Sequence, residues 1–419
     1  MLSKRVVMSM AAQHAAVVPP ALAANAYREK CAAAAAATDA DAAAICESAW
    51  QRCTALQGFE LKPPVKPAKK RRRAWATLLT NAGYASGVKA LANSLAENCD
   101  SEYPLLIMIG GDGVPEETIA ELAKLPGCEI RRVPWLPCPA GCAAYMAPQF
   151  TDCWTKLRVW ELEDDFEQIV LLDADMVVVR NMDSLLEDLL GDDAAATTPT
   201  AAACRVHAVH ECFCVVRRGG CAPCAHTAGS ADHKCPQEAT SSSYFNSGLL
   251  VLQPSKALFA HMLVALAATD LSLCPFADQD FLNAYFCGAW TALPWIYNAT
   301  KGLYASHRAD DTSPGGLKAV WDVQQVRNIH YTMAKPWNLR HPCHKGYEQL
   351  NEIWWAAFSE PRTLCRMLLK LRMHEKRAKE QQQAGQEVAA GQGAGALQAG
   401  ALRAGPQATV AEAIGIAAT

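Results

Sequence analysis

The residues that first invite chemistry are Asp173 and Asp175, which follow the apolar run Ile169–Leu172 with only Ala174 between them. On an extended chain residues i and i+2 point to the same side, so the two carboxylates crowd one another. A buried, unpaired carboxylate is costly and tends to take up a proton instead. A divalent cation resolves that conflict, and all-oxygen ligation favours Mg²⁺ or Mn²⁺ over Zn²⁺. Such ions complete their shell with substrate phosphates, which bare carboxylates would repel by about 4 kcal/mol per unit-charge pair at ~4 Å and an effective dielectric of about 20. The same pattern also arises when one aspartate caps a turn and the other is solvated, and the two residues alone leave both readings open.

The elements that must position them are legible over a long central span. The chain has 419 residues, 51% hydrophobic and 19% charged, with a formal net charge of -3. That suffices for one large α/β core with tails or for two smaller domains, and it gives no general reason to expect nucleic acid or an anionic membrane as partner. No uninterrupted apolar stretch of about 18 residues marks a transmembrane anchor. From Ala74 onward strand-like and helical patterns alternate. "AWATLLT" predicts a strand, and Tyr84, Val88, Leu91 and Leu95 share one helical face. "PLLIMIG" and "CEIRRVP" predict strands on either side of a helix over 115–124. Phe150, Trp154 and Leu157 mark another helix before "QIVLLDAD". This order predicts a mostly parallel sheet covered by helices, in which ligands sit beyond the carboxyl ends of the strands. Asp173 and Asp175 fall at such an end.

Taken in order, these segments resemble glycosyltransferase family 8, the glycogenin-like retaining enzymes, over nearly all of Ala74 to Asn338. The resemblance implies a GT-A nucleotide-diphospho-sugar transferase fold and a UDP-sugar donor. "LLTNAGY" is similar to the family's uridine-binding strand and helix, which assigns Leu78, Thr80, Asn81 and Tyr84 to the nucleotide. "TKLRVW" resembles the helix whose lysine approaches the donor, here Lys156. "DAD" is similar to the metal motif, with Ala174 between the ligands Asp173 and Asp175. "YFNSGLLVLQPS" implies that Asn246 and Ser247 contact the sugar, and "FADQDFLN" implies that Asp278 and Gln279 sit by the anomeric carbon. "IHYTMAKPWN" resembles the closing segment, with His330 as third metal ligand and Lys335 on the diphosphate. An imidazole among the ligands biases the implied cofactor toward Mn²⁺, with Mg²⁺ as the alternative. Gln279 can hydrogen-bond beside the anomeric centre without being a carboxylate nucleophile, so the implied route is front-face displacement with retention, Asp278 orienting the sugar hydroxyls.

Several residues depart from the family pattern. The spacing from His330 to Lys335 is one residue shorter than in glycogenins and puts Met333 at the usual glycine, which weighs against a close backbone contact with the diphosphate. That spacing, like Trp354-Trp355, is similar to the plant glucuronosyltransferase branch. No arginine precedes Lys156, and Pro275 replaces an acidic residue. The donor is therefore left among glucose, glucuronate and galactose, and the acceptor among glycan, protein and lipid headgroup. Tyr304 lies one residue from the glycogenin self-glucosylation position.

The expected organisation is an Ala-rich extension and basic linker (1–73), a GT-A domain (74–360) with a Cys/His-rich insert at about 191–243, and a low-complexity tail (361–419). The insert reads as a thiol-bearing surface loop, with zinc ligation and disulfides as alternatives. The N-terminus is a poor signal peptide, because Gln13 and His14 break its apolar region. With 18 cysteines the compartment stays open between cytoplasm and secretory pathway, including the Golgi. The expected function is metal-dependent hexosyl transfer by an enzyme that can form a homodimer. Two other readings are a catalytically silent GT-A-like binding protein and a zinc-dependent interaction module built on the insert.

Overall fold

The computed structural model describes residues 72–138, 148–187, 206–212, 244–269, 271, 274–287, 289–307, 320–338 and 345–359. All belong to the first of two compact units, Met1–Leu368; the second, Leu369–Thr419, lies outside the described residues. So do the N-terminal extension and most of the Cys/His insert, including Cys204, Cys214, Cys221, Cys224, His226, His233 and Cys235.

The first strand, β1 (Arg72–Asn81), passes through a 3₁₀ turn into α1 (Ala85–Asn93). The Asn81 side chain caps that turn by accepting from Gly83 N at 3.1 Å. Next come β2 (Leu105–Gly113), α2 (Glu116–Leu122) and β3 (Cys128–Val133). The helix expected around Trp154 is present over Pro148–Asp164, but it is 3₁₀ in type. Trp154, Leu157 and Trp160 recur every third residue and are fully buried, so the tighter turn stacks all three against the sheet.

Then follow β4 (Phe166–Leu172), β5 (Met176–Val178), α3 (Ser184–Glu187), β6 (Val206–His210) and β7 (Phe245–Leu252). The chain continues through α4 (Lys256–Ala268), α5 (Asp278–Tyr285), β8 (Trp290–Leu293) and β9 (Ala299–Thr300). It closes with α6 (Lys301–His307), β10 (Asn328–His330) and α7 (Glu348–Ser359).

The large sheet has the order β3-β2-β1-β4-β7-β6-β8. All neighbours are parallel except the two pairs made by β7, which runs antiparallel to β4 and β6. Alternate residues divide two buried layers. Ala76, Met108 and Leu171 face the Trp154 helix, α4 and α5, while Trp75, Ile107 and Val170 face α1 and α2. Burial on both faces explains why "IVLL" is continuously apolar rather than alternating. The smaller sheet, β5-β10-β9, grows directly out of the aspartate motif.

The insert departs from the surface-loop expectation in one place. Val206–His210 is a buried strand inside the large sheet, paired with β7 and β8. His207 is buried there, and the His210 ring packs edge-on at 4.8 Å from Trp290. Among the described residues, no helix is long and apolar enough to cross a membrane.

Candidate active site

The carboxyl ends of β1, β4 and β6 and the first residues of β7 surround a cavity of ≈ 360 Å³. Every residue assigned to the site from sequence lines it. Leu78, Thr80, Asn81 and Tyr84 come from β1 and the turn after it, Asn246 and Ser247 from β7, Asp278 and Gln279 from the start of α5, and Lys156, Asp173, Ala174, Asp175, His330 and Lys335 complete the lining.

The two sheets explain this convergence. Asp173, Ala174 and Asp175 are the whole connection between the end of β4 and the start of β5. In the small sheet His330 pairs with Met176, the residue next to Asp175. Asp173 N donates to Gly248 O at 2.8 Å, and Tyr331 N donates to Asp175 O at 2.9 Å, so the motif is held by backbone from both sides. Gly248 is obligatory: a Cβ there would lie 2.4 Å from His330 Cε1. Gly87 on α1 plays a similar part, because its Cβ would meet the Ala174 carbonyl at 2.3 Å.

The charges are arranged so that each aspartate divides its oxygens. Asp173 Oδ1 accepts Lys156 Nζ at 2.9 Å, and Asp175 Oδ2 accepts Lys335 Nζ. The other oxygens, Asp173 Oδ2 and Asp175 Oδ1, face His330 Nε2 at 3.8 and 3.3 Å. Lysines therefore hold the outer oxygens, and the inner pair converges with an imidazole nitrogen. The ligand atoms of Asp173, Asp175 and His330 lie within 4.8 Å of one another. Two hard oxygens with one imidazole form a donor set that fits Mn²⁺ or Mg²⁺.

The buried Lys156 also reaches Asp278 Oδ2 at 3.0 Å, so one ammonium ties the aspartate motif to the start of α5. Burial alone would lower its pKa; Asp173 and Asp278 outweigh that and raise it well above the ordinary value. Burial pushes the Asp278 carboxyl up, opposed by Lys156 and by the Ser247 hydroxyl, which donates to Oδ2 at 3.0 Å. Burial acts on Asp175 in the same sense, yet Lys335 and His330 hold its carboxyl well below the usual range.

Gln279 is fixed from one end. Ser247 N donates to its Oε1 at 3.0 Å, which leaves its amide NH₂ toward Glu211 Oε2 at 3.5 Å and Tyr244 Oη at 3.3 Å. The residue that launches this helix, Ala277, has φ 50° and ψ −115° and is fully buried. Lys335 donates a second bond to Tyr331 O at 3.1 Å, and nearby Trp337 packs edge-on at 5.6 Å from Tyr84.

Over residues 76–340 the sequence matches the model described as Glycosyl transferase family 8. The chain belongs to that family. It is a glycosyltransferase, and its fold is GT-A. Among characterised proteins this family 8 member is similar to galactinol synthase 1 of Ajuga reptans, 28% identical over 301 residues that cover 69% of this chain and 82% of that protein. It is also similar to galactinol synthase 6 of Arabidopsis thaliana, 29% identical over 307 residues covering 69% and 81%. Among solved structures it resembles a galactosyltransferase, LgtC, in complex with donor and acceptor sugar analogues, at 19% identity and a TM-score of 0.44, covering 68% of this chain and 95% of that one. It also resembles the WbbM bifunctional glycosyltransferase in apo form, at 18% identity and a TM-score of 0.46, covering 76% and 54%.

Three residues of this family 8 site escaped the sequence reading. Glu211 lines the cavity just beyond β6, where it accepts from Asn246 Nδ2 at 2.5 Å and from Cys212 N at 2.9 Å. Burial pushes its carboxyl up against those bonds. Its signal was hidden inside the Cys/His insert. Cys153 lines the cavity beside Lys156, its thiol pushed well up by burial. Asn298, buried behind His330, carries no motif at all. Tyr304 is not a cavity residue; it is buried between Trp321 and Tyr347 with ring centroids at 5.1 and 6.2 Å, a poor position for an acceptor hydroxyl.

Proposed function

We propose that this glycosyltransferase moves a hexosyl unit from a UDP-sugar to an acceptor hydroxyl with retention of configuration, using Mn²⁺ as cofactor with Mg²⁺ as the substitute. The observation that carries this reading is the convergence of Asp173, Asp175 and His330 in a cavity that Asp278 and Gln279 also line, with Lys156 bridging Asp173 and Asp278. Asp173, Asp175 and His330 would hold the cation, which when bound supplies positive charge to the diphosphate and to the leaving group.

The chain's own side chains then divide the work. Leu78, Thr80, Asn81 and Tyr84 receive the uridine. Lys335, adjacent to Asp175, adds a donor for the charge that grows on the departing diphosphate. Asn246, Ser247, Asp278 and Glu211 take sugar hydroxyls. Gln279 stands at the anomeric carbon as a neutral hydrogen-bonding group, while the adjacent carboxylate Asp278 is engaged by Lys156 and Ser247. That arrangement supports attack by the acceptor on the face from which UDP leaves, rather than a covalent glycosyl-enzyme intermediate.

The relatives named as galactinol synthases support a galactosyl donor over glucosyl or glucuronosyl ones. A panel of UDP-galactose, UDP-glucose and UDP-glucuronate with Mn²⁺ tests this, with UDP-galactose expected to release UDP fastest. UDP binding itself is expected to require the cation, because Asp173 and Asp175 would otherwise oppose the diphosphate by about 4 kcal/mol per close charge pair at an effective dielectric of about 20. Calorimetry should show UDP affinity falling sharply when Mn²⁺ is replaced by chelator. Equal affinities would refute metal-dependent binding.

A further inference from the structure

Behind the aspartates runs a chain of hydrogen bonds whose direction is set by one backbone amide. Gly248 N donates to Asn246 Oδ1 at 2.9 Å. A backbone N–H can only donate, so that side-chain atom is the amide oxygen, and the ambiguity between oxygen and nitrogen is removed. Asn298 reaches the same oxygen at 2.8 Å and must present its NH₂ to it. The Asn298 oxygen is thereby turned the other way, 2.9 Å from His330 Nδ1. An amide oxygen only accepts, so Nδ1 must carry a proton.

We propose that Asn298 is a positioning residue that keeps His330 protonated at Nδ1 and so presents Nε2 as the lone-pair donor to the divalent cation; this rests on the metal-dependent reading above. Without an acceptor at Nδ1, the carboxylates facing Nε2 at 3.3 and 3.8 Å would favour the proton on Nε2, where it blocks ligation. Asn298 reverses that preference from the far side of the ring. Its burial and that of Asn246 keep water from substituting for either bond. At its other end the chain continues from Asn246 Nδ2 to Glu211 Oε2, the oxygen that Gln279 also approaches, so the cation site and the sugar site share one orientation.

The test is calorimetric Mn²⁺ affinity of the nucleotide-free enzyme, with thermal unfolding of each variant as a control. Asn298→Leu removes the acceptor and is expected to weaken Mn²⁺ by about 10- to 100-fold, the usual range for loss of a partner behind a metal-bound histidine. Asn298→Asp gives up the bond to Asn246 Oδ1 but retains an acceptor for Nδ1–H. Because that acceptor is what sets the Nε2 lone pair, the variant is expected to bind Mn²⁺ within about threefold of wild type, a rescue that mere space-filling would not produce. Wild-type affinity in a folded Asn298→Leu, or equal losses in both variants, would overturn the inference while leaving metal-dependent catalysis in place. Should Asn298→Leu not fold, a tenfold or greater loss in folded Asn298→Asp would overturn it equally, and retained affinity would support it. No Mn²⁺ binding by the wild-type enzyme would overturn the metal reading and this inference together.

Discussion

Asp175→Ala is expected to lower UDP affinity in the presence of Mn²⁺ by about a hundredfold, roughly 3 kcal/mol, and to take turnover down with it. Asp175 is the hinge of the charge arrangement: one oxygen faces His330 Nε2 at 3.3 Å, and the other is engaged by Lys335. Removing it deletes one of three donors and leaves the Lys335 ammonium without its carboxylate in a largely buried setting, where breaking a pair costs more than the pair contributed. Binding and chemistry should fall together because both need the diphosphate anchored. Calorimetry for UDP and a UDP-release assay measure the two quantities. Unchanged UDP affinity in this variant would remove Asp175 from the donor site.

Gln279→Ala should separate what Asp175→Ala joins. Its side chain is held by Ser247 N and approaches Glu211 and Tyr244, and none of these hydrogen bonds goes to the aspartate motif. A group that meets only the sugar, in a geometry reached at the transition state, lowers kcat when removed and leaves nucleotide binding alone. The expected loss is about 10²- to 10³-fold in kcat, roughly 3 to 4 kcal/mol, with UDP affinity within a factor of about two. Near wild-type turnover would withdraw Gln279 from the reaction and, with it, the assignment of "FADQDFLN" to the reacting end of the cavity.

Much of this site was legible in the sequence because its determinants are local. β2 and β4 are buried on both faces and so show unbroken apolar runs, the run of β1 is interrupted only by the buried Thr77, and α1 with the turn after it shows its buried stripe as Val88, Leu91 and Leu95. The aspartates could be placed at a strand end because the apolar run stops at Leu172. What could not be read depends on partners far away in the chain. β6 is five residues long and carries two histidines, so nothing in its own pattern marks it as a buried strand; pairing with β7 and β8 creates it. Glu211 inherits its place from that strand. Asn298 acquires meaning only when β9 and β10 align and bring it to His330, 32 residues on.

Ala277 sits at a backbone position, φ 50° and ψ −115°, that glycine occupies freely and a residue with a Cβ enters at a cost of about 1 to 3 kcal/mol. Its methyl group is part of the core beneath α5, so the neighbouring packing holds the chain in that conformation. The next two residues are Asp278 and Gln279, whose direction into the cavity follows from that bend. Selection for thermal resilience alone would tend to relax such a bend, and the slack would appear where the sugar must be gripped. A strained alanine here fits the common trade in which an enzyme gives up some robustness of the whole molecule for sharpness in one small part of it.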